Sequence, residues 1–473
     1  MSTWRQAPPF KAFFRLNGGA ARAICYITNV TKVTAVAALP NFLIVMTDQQ
    51  RMDSLGCYGN VFTRTPHVDR MAGEGALFKN AFTPFPICTP ARATAWTGVY
   101  PHAHAIVDCC YNIDYAFDEA DVSVLLFDLM KEAGYDTDYI GKWHLGDGKP
   151  KSIDVWNAFN SLGDHWVAGR QSFQDGVYKA DVQTQNAIAY LRTRAANAKP
   201  FLLVQSYYPP HDPFTAPAEF YAPYRGKGVP FAGYYAAVSA LDHYVGEMVA
   251  ALRDTGLDRR TIVIFCSDHG ETFLYRGGTD HKATGHEDSI RIPLILWGPE
   301  YVPAGMRLAG AAGLQDIVPT VLDYAGAPIP AHVQGESLKH QIAGAAPRTI
   351  QYIENTTDHR TDEELAAMFS TRFNGRAHLG EKRIEQRAIW TPDWKLVLSD
   401  DGKHLLYDLI ADPEEELNIF DAPRADAQNQ YLHFADQRPT VRRLTEALKD
   451  EAARLGDAFG VALADRVLAG LAR

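Results

Sequence analysis

Asn41-Phe-Leu-Ile-Val-Met-Thr-Asp48 sets five continuous apolar residues before an acid, and Gln49 and Gln50 follow at once. A run without alternation suits a strand covered on both faces, as in a parallel sheet. The pattern recurs. Tyr139-Ile140 leads into Gly141-Lys-Trp-His-Leu-Gly146, Phe201 to Val204 leads to Pro209-Pro210-His211, and Thr261 to Phe265 leads to Ser267-Asp268-His269. Helical segments lie between, at Val122 to Glu132 and Asp181 to Thr193. This βαβ rhythm predicts an α/β fold with a large, mostly parallel sheet flanked by helices. Ligands of open α/β sheets gather beyond the carboxyl ends of the strands, so the polar clusters after these four runs are expected to converge on one composite site.

Composition bounds what that site does. The chain has 473 residues, 47% hydrophobic and 22% charged, which excludes disorder and a collagen-like repeat. Its 46 Lys+Arg against 56 Asp+Glu leave a net charge of −10, the wrong sign for a nonspecific grip on nucleic acid or an acidic membrane. A small anion held by a local cluster of bases is compatible with it. Six Cys in so long a chain make no disulfide scaffold, and Cys57, Cys109 and Cys110 read as ordinary thiols. No apolar stretch is long enough to cross a bilayer. Residues 1–38 lack a signal-peptide pattern and are expected to be an appendage of unknown role on a cytoplasmic protein. The Gly/Ala/Pro stretch Ala343 to Pro347 reads as a linker. It divides a catalytic α/β domain, 39–345, from a smaller C-terminal α+β unit, 346–473. That unit is expected to carry an antiparallel sheet of Thr349 to Ile353, Arg387 to Trp390, Trp394 to Leu398 and Leu405 to Leu409. Val441, Leu444, Leu448, Ala452 and Leu455 follow helical spacing after it.

The sharpest local feature is Cys88-Thr89-Pro90-Ala91-Arg92. At this chain's Cys, Pro and Lys+Arg content, a Cys-x-Pro-x-basic pattern is expected only about 0.03 times by chance. Followed by Ala93-Thr-Ala-Trp-Thr97-Gly98, it resembles the signature of the type I sulfatases, formylglycine-dependent members of the alkaline phosphatase superfamily. The resemblance runs from Asn41 to about Phe420 through ordered blocks: Asp48-Gln49, Cys88 to Arg92, Gly141 to Gly146, His211, Asp268-His269, Lys282 before Ser289-Ile-Arg-Ile-Pro293, and Leu406-Tyr-Asp-Leu409 with Asp412-Pro413 and Glu416-Leu-Asn418.

The resemblance implies that a maturation enzyme converts Cys88 to Cα-formylglycine. An aldehyde hydrates to a geminal diol, so one hydroxyl can attack sulfur while the other expels sulfate afterwards. It further implies a divalent metal on Asp48, residue 88, Asp268 and His269. Gln49 stands at the site as a further ligand or neighbour. Gln49 and His269 depart from relatives with Asp-Asp and Asp-Asn here, so calcium is the family default and an imidazole ligand admits manganese. Arg92 shares a helix face with Cys88 and is expected to hold the diol. Lys142 and His144, two residues apart at an extended strand end, are expected to point the same way. By resemblance Lys142 binds nucleophile or sulfate, and His144 takes the diol proton when sulfate leaves. His211 and Lys282 contact sulfate and leaving-group oxygen, and Asp268 accepts the attacking hydroxyl's proton. His286, where relatives often have Tyr, is a candidate substrate contact. His102, His104, His243 and His281 read equally well as structural residues, and Tyr207 and Tyr208 as core or pocket lining.

The leading expectation is a sulfatase that hydrolyses a small organic sulfate monoester to sulfate and an alcohol or phenol. One alternative is a phosphonate monoester or phosphodiester hydrolase of the same superfamily; another is a non-catalytic metal-bound anion- or carbohydrate-binding protein.

Overall fold

The computed structural model describes residues 39–111, 124–161, 164–167, 176–275, 281–358, 375–376, 383–421 and 434–472; the expected appendage 1–38 lies outside them. The strands run in chain order β1 (Asn41–Asp48), β2 (Ala76–Phe82), β3 (Cys110–Tyr111), β4 (Asp136–Lys142), β5 (Val155–Phe159), β6 (Phe201–Pro210) and β7 (Thr261–Ser267). Then come β8 (Leu294–Trp297), β9 (Met306–Gly313), β10 (Gln351–Asp358), β11 (Gly375–Arg376), β12 (Arg383–Trp390), β13 (Trp394–Ser399) and β14 (Leu405–Asp408).

The large sheet has the order β5-β4-β6-β1-β7-β8-β2-β9, and β8 runs antiparallel to both its neighbours. β1 lies inside it, paired in parallel with β6 and β7. Pleating sends Phe42, Ile44 and Met46 into one apolar cluster and Leu43 and Val45 into another, and all five are fully buried. Burial of such a side chain contributes about 1.5–3 kcal/mol, so the unbroken run holds β1 between two helical layers and leaves Asp48 at its carboxyl end. Every strand of the sheet except β8 shares that direction, which brings Lys142, His211, Asp268 and the segment after β2 to the same edge.

The expected helices appear as Leu126–Glu132 and Lys179–Arg194, with residues 122–123 outside the described ones. Strands β2, β5 and β9 lack the signal that marks β1. Lys79 and Asn80 interrupt β2, and β9 is mostly small residues, so burial there comes from the sheet rather than from an apolar run.

β10, β12, β13 and β14 form an antiparallel sheet in that order. Helix Phe434–Leu455 lays Val441, Leu444, Leu448, Ala452 and Leu455 against Ile389, Leu396 and Leu398 of this sheet, as the helical spacing predicts. Leu39–Arg473 form one compact unit. No helix among the described residues is long and apolar enough to cross a membrane.

Candidate active site

Cys88 is the first residue of helix Cys88–Thr97, in which every residue is buried. Arg92, one turn on, must therefore be neutralised inside the protein. Its Nε donates to Asp268 Oδ2 at 3.0 Å and its Nη2 to Asp48 Oδ2 at 2.9 Å. Nη1 donates to the Lys142 carbonyl and to Ser206 Oγ, both at 2.8 Å. Helical spacing directs Arg92 towards residue 88; the structure turns its guanidinium onto the two carboxylates instead.

The Cys88 thiol is the centre of the cluster. Around its Sγ lie His269 Nε2 at 3.1 Å, Lys282 Nζ at 3.4 Å, Asp48 Oδ1 at 3.6 Å and Lys142 Nζ at 3.7 Å. His144 and Cys109 also lie beside it, close enough to act on its ionisation. Burial opposes ionisation, but the Cys109 contact and the charges of Lys142, Lys282 and His269 bring the thiol well below its ordinary value. Cys109 is thus no ordinary thiol. Its position follows from the chain's return after the Cys88 helix, which no local pattern reveals.

The two carboxylates are driven apart. Burial and Asp48 push Asp268 up to about 6, against His269 and Arg92. Burial and Cys88 act to raise Asp48 too, but Lys142, His211 and Arg92 hold it well below the usual carboxylate range. Lys142 Nζ lies 2.6 Å from Asp48 Oδ2, and that pairing keeps the ammonium charged despite burial.

Gly141 explains how Lys142 arrives here. It sits at φ +106°, and a Cβ on it would lie 1.8 Å from the Ser206 carbonyl of β6, so glycine alone fits this approach. His144 departs from the expected extended strand end: its φ is +55°, a left-handed conformation that costs a non-glycine residue on the order of 1–3 kcal/mol. Its ring still reaches Cys88. Burial and Lys142 push the imidazole down to about 4, leaving it neutral at neutral pH.

His211 Nε2 lies 2.9 Å from Lys282 Nζ, while its Nδ1 is 3.0 Å from Asp212 Oδ1. The first contact is a hydrogen bond only if one partner supplies a lone pair, so this pair carries a single shared positive charge. Tyr208 packs its ring 4.9 Å from that of His211 and 4.4 Å from Lys142 Nζ, a cation–π contact that backs both groups. Gln49 is buried at φ +63°, and its side-chain oxygen accepts from Lys282 at 2.8 Å. His286 meets Tyr407 of the C-terminal sheet, Nε2 to hydroxyl 3.2 Å.

The ligand atoms of Asp48, Cys88, Asp268 and His269 lie within 4.8 Å of one another, and all four residues are buried. His269 Nδ1 lies 2.9 Å from the Gly270 carbonyl, which accepts its N–H and would leave Nε2 to offer a lone pair to a bound cation. Two carboxylates, an imidazole lone pair and position 88 make a donor set that fits a divalent cation.

Comparison with known proteins agrees with this geometry. The sulfatase family profile matches residues 40–327, and that of the N-sulphoglucosamine sulphohydrolase C-terminal region matches 278–435. An ulvan-active sulfatase of Formosa agariphila is 28% identical over 462 residues, covering 89% of this chain and 82% of its own. A structure described in complex with its substrate, D-glucosamine-2-N,6-O-disulfate, shares the fold at TM-score 0.70 and 22% identity, covering 89% of this chain and 99% of that one. A phosphonate monoester hydrolase of Agrobacterium radiobacter shares it at TM-score 0.62 and 22% identity, covering 85% and 95%. The profile spans more than half the chain and encloses Asp48, Cys88, Lys142, His211, Asp268 and Lys282: the chain belongs to the sulfatase family and is a sulfuric ester hydrolase.

Proposed function

We propose that this sulfatase acts through a Cα-formylglycine made from Cys88 by a formylglycine-generating enzyme, with one divalent cation, on a sulfated sugar. The observation that carries this reading is the buried Cys88 Sγ within 3.1 to 3.7 Å of His269, Lys282, Asp48 and Lys142. Asp48, Asp268, His269 and position 88 would hold the cation, which when bound polarises a sulfate oxygen; their oxygens suit calcium, and the imidazole admits manganese. Hydrated formylglycine supplies two hydroxyls on one carbon, one to attack sulfur and one to expel sulfate. The ulvan-active relative and the neighbour bound to a disulfated glucosamine favour a sugar as the substrate's alcohol.

The chain's own groups supply charge and protons. Lys142 and Lys282 set positive charge against the sulfate oxygens in a largely buried site. Asp268, with the higher proton affinity of the two acids, accepts a proton during attack while Asp48 stays ionised. Arg92 holds both acids in place. Neutral His144 accepts the second proton as sulfate departs. The proton shared by Lys282 and His211 passes to the leaving oxygen, which as an alkoxide would otherwise leave slowly.

The family fold also hosts phosphonate monoester hydrolases, so the test is a comparison of kcat/KM for 4-nitrophenyl sulfate and 4-nitrophenyl phenylphosphonate on matured enzyme. The sulfate is expected to be preferred by about tenfold or more. A strong preference for the phosphonate would reject the sulfate ester as the substrate.

A further inference from the structure

Lys282 does not hold its place unaided. Beside its contacts with Cys88 and His211, its Nζ lies 2.8 Å from Gln49 Oε1. The oxygen and NH2 of a glutamine amide have nearly the same shape, so a buried amide fits either way round. One orientation offers Lys282 an acceptor. The other aims N–H donors at an ammonium.

Glu271 decides between them. Its carboxylate is fully buried, and Gln49 Nε2 donates to Glu271 Oε2 at 2.5 Å. An ionised carboxylate only accepts, so the NH2 of Gln49 must face Glu271 and the oxygen must face Lys282. The other carboxylate oxygen, Oε1, is fixed by the Phe273 N–H at 2.5 Å and by His281 Nδ1 at 2.9 Å. The Gln49 backbone is tied as well: its N–H donates to Asp268 Oδ1 at 3.0 Å and its carbonyl accepts from the Tyr234 hydroxyl at 3.0 Å.

We infer that Glu271 is a positioning residue for the leaving-group step: through the Gln49 amide it fixes the acceptor that aims Lys282. The inference rests on the reading that Lys282 and His211 protonate the leaving oxygen, and deepens it by a residue not assigned a role above.

Glu271→Gln keeps the shape and inverts the pattern. The Phe273 N–H still needs an acceptor, so the new amide presents its oxygen there and its NH2 to Gln49. Gln49 then turns its oxygen to residue 271 and its NH2 to Lys282. Exchanging the pair, Gln49→Glu with Glu271→Gln, restores an acceptor opposite Lys282. The measurement is kcat/KM of matured enzyme on aryl sulfates from 4-nitrophenyl to 4-methoxyphenyl, whose leaving oxygens grow more basic. Glu271→Gln is expected to lose about threefold on the first and about 30-fold on the last, with most of the difference recovered in the exchange variant. Lys282→Ala is expected to steepen the series in the same sense. An equal loss along the series for Glu271→Gln, with Lys282→Ala still steepening it, overturns the positioning role and leaves the leaving-group reading standing. A Lys282→Ala series without steepening overturns that reading itself. The exchange variant keeps one carboxylate and one amide in the pair, so it reports even if Glu271→Gln does not fold; an exchange variant that folds and still steepens the series relative to the native enzyme overturns the inference.

Discussion

Around Cys88, the carboxylates of Asp48 and Asp268 face Arg92, Lys142, Lys282 and the imidazoles of His269 and His211. Where the turn after helix Phe434–Leu455 meets β10 and β12, the carboxylates of Glu354 and Asp457 face Arg387 and His102. Each cluster brings histidine and carboxylate atoms close enough to suit a metal. They differ in closure. In the second, His102 Nδ1 lies 2.7 Å from Glu354 Oε1 and Nε2 lies 3.0 Å from the Leu455 carbonyl, an arrangement that favours the imidazolium. Arg387 Nε lies 2.5 Å from Asp457 Oδ2, which also accepts from the Tyr352 hydroxyl at 2.7 Å. Two cations thus match the two buried anions, and the part-exposed Glu385 lies 3.3 Å from Arg387. In the first, Lys282 and Lys142 also face a reactive side chain, lying 3.4 and 3.7 Å from Cys88 Sγ, so their charge is presented to whatever position 88 carries. Cations that face a reactive side chain, rather than residue types that ligate metals, separate a site for sulfate from a structural joint.

The largest expected effect removes the centre of the open cluster. Cys88→Ala should lower kcat/KM on sulfate esters roughly 10⁴-fold or more, while thermal unfolding moves by no more than about 1 kcal/mol of stability. Activity within tenfold of the native enzyme would erase the contrast between the clusters.

The closed cluster should respond the other way. Arg387→Ala leaves two buried acids with one cation, which should cost about 3 kcal/mol in denaturant unfolding yet leave kcat/KM of the folded enzyme within about threefold. A loss of activity without loss of stability would show that this joint reaches the chemistry.

The smallest effect sharpens the pH behaviour of the same joint. Burial opposes protonation of His102, but Glu354, by hydrogen bond and charge, and the Leu455 carbonyl raise its pKa. A raised folded-state value means the stabilisation is fully present below the unfolded pKa of about 6.5 and is lost as pH rises through the folded value. Unfolding of native protein and His102→Gln, compared from pH 5.5 to 9, should differ by about 2 kcal/mol at the acid end and progressively less above. A gap that widens with pH would contradict an imidazolium at this position.

Much of the sheet was legible because burial on both faces writes itself as an unbroken apolar run, as in Asn41–Asp48 and Thr261–Ser267. β2, with Lys79 and Asn80 inside it, was not, since its place depends on β8 and β9 rather than on its own residues. The convergence of Asp48, Lys142, His211 and Asp268-His269 was legible for a topological reason: parallel strands deliver their following residues to one edge; Cys88 joined them only through the resemblance its Cys-Thr-Pro-Ala-Arg segment carries. The target of Arg92, the left-handed turn of His144, the Tyr208 ring behind Lys142 and His211, the Cys109 contact and the Gln49–Glu271 pair were not legible. Each depends on a dihedral or a partner far along the chain; Gln49 and Glu271 are 222 residues apart.

Residue types and strand-end placement, both written in the order of amino acids, determined which chemistry could assemble and at which edge of the sheet. Only the tertiary structure decided how the charges pair, because electrostatic and hydrogen-bond energies fall off over ångströms in space and are indifferent to separation along the chain. That pairing closes the His102 cluster on itself and leaves Lys142 and Lys282 facing position 88.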